Sequence, residues 1–581
     1  MADETFDAVI VGGGTKALFL AMYLLKYGGM SVGIFEDRHE LGGCLGTEEI
    51  AAPGFRSNVC ATMTFPFYHL PLYRDFPGFW DYGAQWEQYL VADGAVFRNN
   101  NTCIALYSQK FDPTQERTAK EIARFSEKDA DSWLRLWKLN ESDEFRRVQL
   151  QRIFNPAEDY TDPKFGEREL AFGVKLVESG FPMDSLIAAT SHLRAARIYW
   201  ESEELQHCVV RYCLSVNDVN ELGSGIQTLM LASEIPGFGF NRGGTHQLAH
   251  AAHQILMQNG CKTFTHSEVK KVIIENGTAK GIRLADGSEI RARKIVVSTL
   301  NPKQLCFDLI GREYLDSRLA RRVELLSTSF ACLMWYGIAV HEAPKYKAAE
   351  FNPDINETLW LALAEDASPE HISMECKYQR LNMLPPLEHY CPTIWCHSLV
   401  DPLFAPPGKH IVQSEQLGPP ATAYTEKEWM KIKKEYGENL ITLFQRHCTN
   451  MGWDNIIGID CNSPYDACRT KNLAPNGCWA VLDRSPDQGD ADRPDRELRN
   501  HRTPIKNLYA TGGAWFPGSN AGSFESYTCY KIIAKDLNLG KPWEEPGKED
   551  PDSLVEQWNA VEKRVRDAAK PRIGYVAKAE A

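Results

Sequence analysis

The spacing of apolar positions changes twice early in the chain. Residues 8–11 are a short β-branched run, residues 15–27 are apolar at nearly every helical position, and residues 32–35 form a second short apolar run. This predicts a strand, a core helix and a strand. Residues 507–537 repeat the strand, Gly-rich turn and helix pattern. Between them, Gly243-Gly244-Thr245 introduces a helix predicted to run to about Asn259 and to be closed by Gly260. Residues 267–275, 278–284 and 288–293 then alternate like a small antiparallel sheet with Asp286-Gly287 as a hairpin turn, and residues 295–298 read as a further buried strand.

The first strand-to-helix turn carries Gly12-Gly13-Gly14. Gly12 suits the tight turn, Gly14 lets a pyrophosphate approach the backbone, and Ala17 keeps helix and strand close. The helix start offers unpaired N–H groups and the positive end of its dipole to phosphate. Glu36, followed by Asp37, ends the second strand about 20 residues on, where a carboxylate grips a ribose hydroxyl pair. Lys16 follows Thr15 and precedes Ala17, so the Gly-Lys-Ser/Thr of a triphosphate-binding loop is absent. The acid at position 36 also disfavours a 2′-phosphate, which leaves NAD or FAD. A second glycine turn, Gly42-Gly43-Cys44-Leu45, and the remote turn at residues 512–522 decide for FAD. NAD has no use for a distant glycine turn, whereas the flavin half of FAD is long enough to need one.

Composition narrows the picture. A net charge of −13 argues against a nucleic-acid partner. The start, MADETF, lacks a basic-then-apolar leader and no apolar stretch approaches the roughly 18 residues of a membrane span. The expected location is cytoplasmic, with peripheral membrane contact left open. The 16 cysteines include no Cys-x-x-Cys, which argues against a redox dithiol and the common zinc spacings. His246, His250 and His253 share one helical face without an added carboxylate or Cys, so no metal site is expected. In the tail, Ser553-x-x-Glu556 reads as a capping box, and Leu554, Trp558, Val561 and Val565 form an apolar stripe suited to packing on the parent domain, or to an oligomer or membrane contact.

On these motifs the chain resembles the phytoene-desaturase-like flavoproteins of the amine-oxidase-type FAD superfamily, near the branch of the oxygenase-type carotene ketolases. The likeness extends over TEEIAAPGFRSNVCAT (47–62), RFSEKDADSW (124–133), GGTHQLAHAAHQILMQNGCKTF (243–264), VDPLFAPPGKH (400–410), SPYD (463–466) and RTPIKNLYATGG (502–513). It implies an α/β fold: a discontinuous Rossmann-like FAD-binding domain (1–57, 241–301 and 504–540), a mixed α+β substrate domain (58–240 and 302–503) and a tail (541–581) with one amphipathic helix. It implies adenine held at Val269. The isoalloxazine would lie between the segment after Phe55, including Thr62 and Met63, and the last turn, including Gly513, Gly522, Ser523 and Phe524. Two departures stand out: Cys44 where many relatives carry Arg, and Trp515-Phe516-Pro517-Gly518-Ser519 where many carry Thr-His-Pro-Gly-Gly.

The implied activity is an FAD-dependent oxidoreductase, removing two hydrogens across a carbon–carbon bond of a hydrophobic, isoprenoid or alicyclic substrate, or running in reverse. Phe65, Phe67, Tyr68, Trp515 and Phe516 are candidate cavity aromatics, and Tyr68 and His69 are candidates for moving the proton. Cys60 reads as a buried inert thiol and Glu525 as a complement to its helix dipole. Rival readings are a redox-neutral isomerase or hydratase, an amine oxidase, and a non-redox carrier resembling Rab escort proteins. A homo-oligomer is compatible with all of them.

Overall fold

A computed structural model of the chain describes residues 4–518 and 521–568. The first three residues of the N-terminal segment, Ser519 of the last motif and the end of the predicted tail lie outside the described residues.

The fold is α/β and rests on two seven-stranded sheets. The first runs Val269–Glu275, Thr278–Leu284, Glu289–Ser298, Thr5–Val11, Val32–Phe35 and Lys262–Phe264, with Leu508–Ala510 also paired to Glu289–Ser298. Thr5–Val11 is parallel to both of its neighbours. The helix Thr15–Lys26 packs on this sheet and is buried from Thr15 to Leu24, because helices His246–Gln258 and Phe524–Leu537 also cover it. That explains its apolar residues all round. Together these elements make the discontinuous Rossmann-like domain.

One predicted boundary is corrected. Residues 288–293 and 295–298 are not two strands but one, Glu289–Ser298. Its first half pairs antiparallel with Thr278–Leu284, and its second half lies parallel to Thr5–Val11 and Leu508–Ala510. The register slips between Phe6↔Ala292 and Ala8↔Ile295, so Arg293 and Lys294 fall at a bulge and interrupt the apolar alternation.

The second sheet runs Ile456–Asn462, Leu333–Val340, His410–Leu417, Thr393–Trp395, Thr358–Ala364, Val91–Phe97 and Thr102–Tyr107. It is antiparallel except where Thr358–Ala364 meets Val91–Phe97. The hairpin Leu45–Glu48/Ser57–Cys60 packs against the second sheet, where Gly337 faces Ser57, and Gly46 abuts Lys471. Among the described residues no helix is long and apolar enough to cross a membrane.

The tail helix is Asp552–Asp567, preceded by Pro551. The capping box is therefore corrected: Ser553 lies inside the helix, where its hydroxyl accepts from Arg74 at 2.9 Å. Leu554, Trp558, Val561 and Val565 are buried against their own chain. Trp558 stacks on Phe67 with centroids 4.7 Å apart, and its indole N–H donates to Glu562 at 2.6 Å. Trp558→Ala is expected to cost about 3–5 kcal/mol, the usual range for truncating a buried Trp. The check is a lowered thermal or urea midpoint with the circular-dichroism spectrum of the folded protein unchanged.

Candidate active site

A cavity of about 720 Å³ is lined by residues of both sheets and of the helices around them. Its floor is the first sheet's helix-bearing edge: Gly12, Gly14, Thr15, Glu36, Asp37, Gly42 and Gly43. Cys44, Leu45, Cys60, Thr62 and Met63 continue the wall, with Val269 at one side and Gly513 and Phe524 at another. The volume falls within the roughly 300–1,000 Å³ of ligand sites.

The glycine turn is shaped by contact on one side and by space on the other. Gly12 has φ +89°, and a Cβ there would lie 2.5 Å from Thr299 Oγ1. Its N–H donates to the Phe35 carbonyl. Gly14 caps the helix in an extended conformation, φ −64° and ψ 166°, and a Cβ there would meet nothing within 4 Å. That open wall, at the start of a helix and next to Gly42, is the cradle a pyrophosphate requires. Glu36 Oε2 accepts from Gly13 N at 2.6 Å and Oε1 from Arg38 N at 2.8 Å, so backbone donors fix the carboxylate at the cavity edge. Ala17 is buried under the turn rather than exposed to the cavity.

On the far side, Arg493 ties the last turn in place. Its guanidinium donates to the carbonyls of Leu482 at 2.8 Å, Asp483 at 3.0 Å and Gly513 at 3.1 Å. Gly518, at φ +84°, allows the close approach, since a Cβ would lie 2.5 Å from Arg493 Nε. Ser523 donates through N and Oγ to the Tyr68 carbonyl at 3.0 and 2.9 Å, which joins the last turn to the segment after Phe55. Lys16 reaches across to the Gly522 carbonyl and ion-pairs with Glu525 at 2.6 Å. Glu525 therefore binds a buried lysine in addition to sitting in the first turn of its helix.

The predicted catalytic residues separate. Tyr68 lines the cavity between Phe65 and Phe524, both with ring centroids 4.9 Å away. Its hydroxyl hydrogen-bonds to Tyr212, and the Tyr212 hydroxyl donates to Glu234 at 2.6 Å. Burial raises the Tyr68 pKa and lifts the Glu234 carboxyl to about 7. His69 points the other way, into the packing of Phe19, Phe79 and Trp86, with neither ring nitrogen hydrogen-bonded. Burial, helped by Lys16, lowers its pKa to about 3, so it stays neutral. Trp515 and Phe516 are buried beside the turn: the Trp515 indole N–H reaches the Leu300 carbonyl at 3.4 Å and Phe516 packs edge-on to Tyr160. None of His69, Trp515 and Phe516 is among the described residues of the cavity wall. Phe67 packs on Trp558 instead.

The wall opposite the glycine turn holds Phe65, Tyr212, Trp360, Trp395 and Trp479, with a polar group set among them. Glu415, in the strand His410–Leu417, takes a hydrogen bond from Thr62 and has an Oε1 with no partner among the described residues. Arg211 lies nearby, bonded to Thr393 and 3.6 Å from Glu375. Burial outweighs the Thr62 bond and the Arg211 charge and pushes the Glu415 carboxyl up to about 8. Such a group titrates near the working pH, as a general acid or base must. Buried polar atoms without partners among the described residues, Glu415 Oε1, Trp360 Nε1 and Trp395 Nε1, leave this wall with bonding capacity for a bound molecule. Its sequence signal was four consecutive polar residues, Gln413 to Gln416, within an otherwise buried central strand.

The histidine face resolves into separate contacts. His246 Nδ1 bonds to the Leu45 carbonyl at 2.7 Å and its ring meets His250 edge-on, while His253 lies near Thr263.

Comparison with known proteins agrees with this architecture. The model of the NAD(P)-binding Rossmann-like domain matches residues 10–82, spanning both N-terminal glycine turns. The chain is 26% identical over 563 residues to a component of the limonene dehydrogenase of Castellaniella defragrans, covering 93% of this chain and 96% of that one. It is 21% identical over 351 residues to the chloroplastic prolycopene isomerase of Daucus carota, covering 59% of this chain and 52% of that one. A putrescine oxidase variant superposes with a TM-score of 0.55 at 12% identity, covering 92% of this chain and 99% of that one. The fold is of the amine-oxidase FAD type. The open Gly14 wall, the edge carboxylate and the second glycine turn fit a dinucleotide, and the cofactor is FAD.

Proposed function

We propose that the chain, a phytoene-desaturase-like FAD-dependent oxidoreductase, removes two hydrogens across a carbon–carbon bond of a hydrophobic isoprenoid or alicyclic substrate, or adds them in reverse. The observation that carries this reading is the aromatic wall of Phe65, Tyr212, Trp360, Trp395 and Trp479 facing the cofactor floor across one cavity. Such a wall sheds water and holds an apolar skeleton by area, offering only a few polar groups to orient it. FAD, when bound, supplies the two-electron acceptor. Gly12, Gly14 and Glu36 would hold its nucleotide half, and Thr62, Met63 and Gly513 line the remainder of its groove. Glu415 accepts the proton at its unpartnered Oε1 in the dehydrogenating direction, and returns it in the other. Thr62 and Arg211 orient that carboxyl. Tyr68, Tyr212 and Glu234 form a second hydrogen-bonded line from the cavity into the interior. The similarity to a component of limonene dehydrogenase, an enzyme named for an alicyclic hydrocarbon, supports this substrate class.

A redox-neutral isomerisation is the second reading, favoured by a Glu415 that holds its proton at neutral pH and by the likeness to a prolycopene isomerase. Anaerobic mixing of the holoenzyme with monocyclic terpenes, linear polyenes and primary amines separates the readings. Bleaching of the oxidised flavin band by a terpene or polyene is the expected result. Bleaching by amines alone would make the protein an amine oxidase, and double-bond migration without bleaching would favour the isomerase.

A further inference from the structure

The register of the second sheet decides which of its side chains share the cavity face. Leu361 pairs with Ile394 and Ala362 with Thr393, so Trp360 and Trp395 stand side by side on the face that carries Thr393. Thr393 pairs in turn with Glu415, which puts that carboxyl on the same face. Leu361, Ile394 and Val412, one step along each strand, pack into a separate core on the other side. The Trp360 and Trp395 rings lie 6.3 Å apart, and Arg211, from the helix Glu203–Leu214, reaches this face by donating a guanidinium N–H to Thr393 Oγ1. All three side chains belong to the cavity wall, and all are buried, with exposures of 6% for Arg211, 7% for Trp360 and 2% for Trp395. Yet Arg211 Nε, Trp360 Nε1 and Trp395 Nε1 have no partner among the described residues. A buried N–H is costly unless something bonds to it.

We propose that these three N–H groups hold a carbonyl oxygen, so that the substrate is an oxygenated alicyclic or isoprenoid compound, a ketone rather than a plain hydrocarbon. The proposal rests on this cavity being the substrate site of the reaction proposed above. Guanidinium and indole nitrogens donate and accept nothing, so the set fits an oxygen that brings lone pairs and no proton. An anion fits it less well. Glu375 already faces Arg211 at 3.6 Å and Glu415 stands on the same sheet face, so a carboxylate would enter beside two acidic groups. The carbonyl also supplies what Glu415 needs. N–H groups held on the oxygen acidify the C–H of the next carbon, because they stabilise the negative charge that the oxygen takes up as the proton leaves. That proton goes to Glu415 Oε1 while the electron pair of the broken C–H bond moves onto the carbon–oxygen unit, a transfer that requires no oxidant. An unactivated hydrocarbon offers a carboxylate no such proton.

Menthane, menthone and menthanecarboxylate share one ring skeleton and differ in their oxygen, which makes them the probes. Their binding to dithionite-reduced holoenzyme is measured by calorimetry. The reduced flavin can accept no further hydride, so affinity is read without turnover and apart from the bleaching test of the reaction. Menthone is expected to bind about 10–100-fold tighter than menthane, the worth of two or three neutral hydrogen bonds. Trp360→Phe and Trp395→Phe keep an aromatic ring and remove the N–H, and each should weaken menthone binding by about 2–10-fold while leaving menthane binding unchanged. Menthane bound by the wild type as tightly as menthone would overturn the proposal, whether or not either variant folds. Menthanecarboxylate bound more tightly than menthone would make this an anion site and overturn it too. Equal losses of menthone and menthane in the Phe variants would assign the indoles to packing and end their role as donors. Selective binding of menthone by a protein whose flavin no alicyclic compound bleaches would leave the oxygen site standing and overturn the reaction instead.

Discussion

Glu415→Gln lowers turnover by about 10²–10⁴-fold, the usual worth of a positioned acid or base, and leaves FAD bound. The substitution keeps the side chain's shape, its hydrogen bond to Thr62 and its place in the strand His410–Leu417, and removes only the titrating oxygen. The sign of the pH dependence follows from the shift. A carboxyl raised to about 8 is protonated below that value and ionised above it. As the base for dehydrogenation, Glu415 is therefore competent on the alkaline side, and kcat/KM rises with pH until about 8. As the acid for the reverse reaction it is competent on the other side, and that rate falls as pH rises through the same value. Both limbs vanish in Glu415→Gln. The measurement is a pH–rate profile of wild type and variant with any substrate that bleaches the flavin, beside the flavin content of each. A variant that keeps the wild-type rate and the limb near 8 would move the proton to the Tyr68, Tyr212 and Glu234 line, and Tyr212→Phe would then carry the loss.

The cofactor half was legible in the sequence because its signals are local. Gly12, Gly14 and Glu36 sit within one strand–helix–strand unit, so spacing alone places them together. Val32–Phe35 lies where its apolar run predicts, and Thr278–Leu284 has its predicted bounds. Glu289–Ser298 misled because charged residues at a bulge mimic a strand end. The second sheet gave far weaker signals: its strand order, 456–462, 333–340, 410–417, 393–395, 358–364, 91–97 and 102–107, follows no sequence order. Glu415 and Arg211 meet only through that topology, one on a central strand and the other on the helix Glu203–Leu214. Tyr68 and His69 are neighbours in sequence but face opposite ways from the short helical turn Pro66–His69, which one-dimensional proximity to the flavin segment does not distinguish.

Gly14→Val separates the cofactor from the fold. At Gly14 the backbone is already in a region open to any L-residue, and no atom lies within 4 Å of the Cβ position. The valine methyls therefore enter empty space on the cavity side, and the apo-protein's stability should change by no more than about 1 kcal/mol, as for a substitution that disturbs no packing. The same methyls occupy the place where a pyrophosphate meets the helix start. Losing two charge-assisted bonds there, each worth about 1.5–3 kcal/mol, weakens FAD binding by about 10²–10⁴-fold. Gly12→Ala makes the contrasting case. Its φ of +89° strains any L-residue, and the added Cβ drives into Thr299 Oγ1 at 2.5 Å, whose hydroxyl holds the Val11 carbonyl at 2.9 Å. That variant should lose stability with or without cofactor. Thermal midpoints of the two apo-proteins, with FAD affinity measured by flavin fluorescence quenching, provide the check. Gly14→Val binding FAD as tightly as the wild type would mean that the pyrophosphate does not pass this turn. A Gly14→Val apo-protein as unstable as Gly12→Ala would mean that the wall at Gly14 is already filled by the fold.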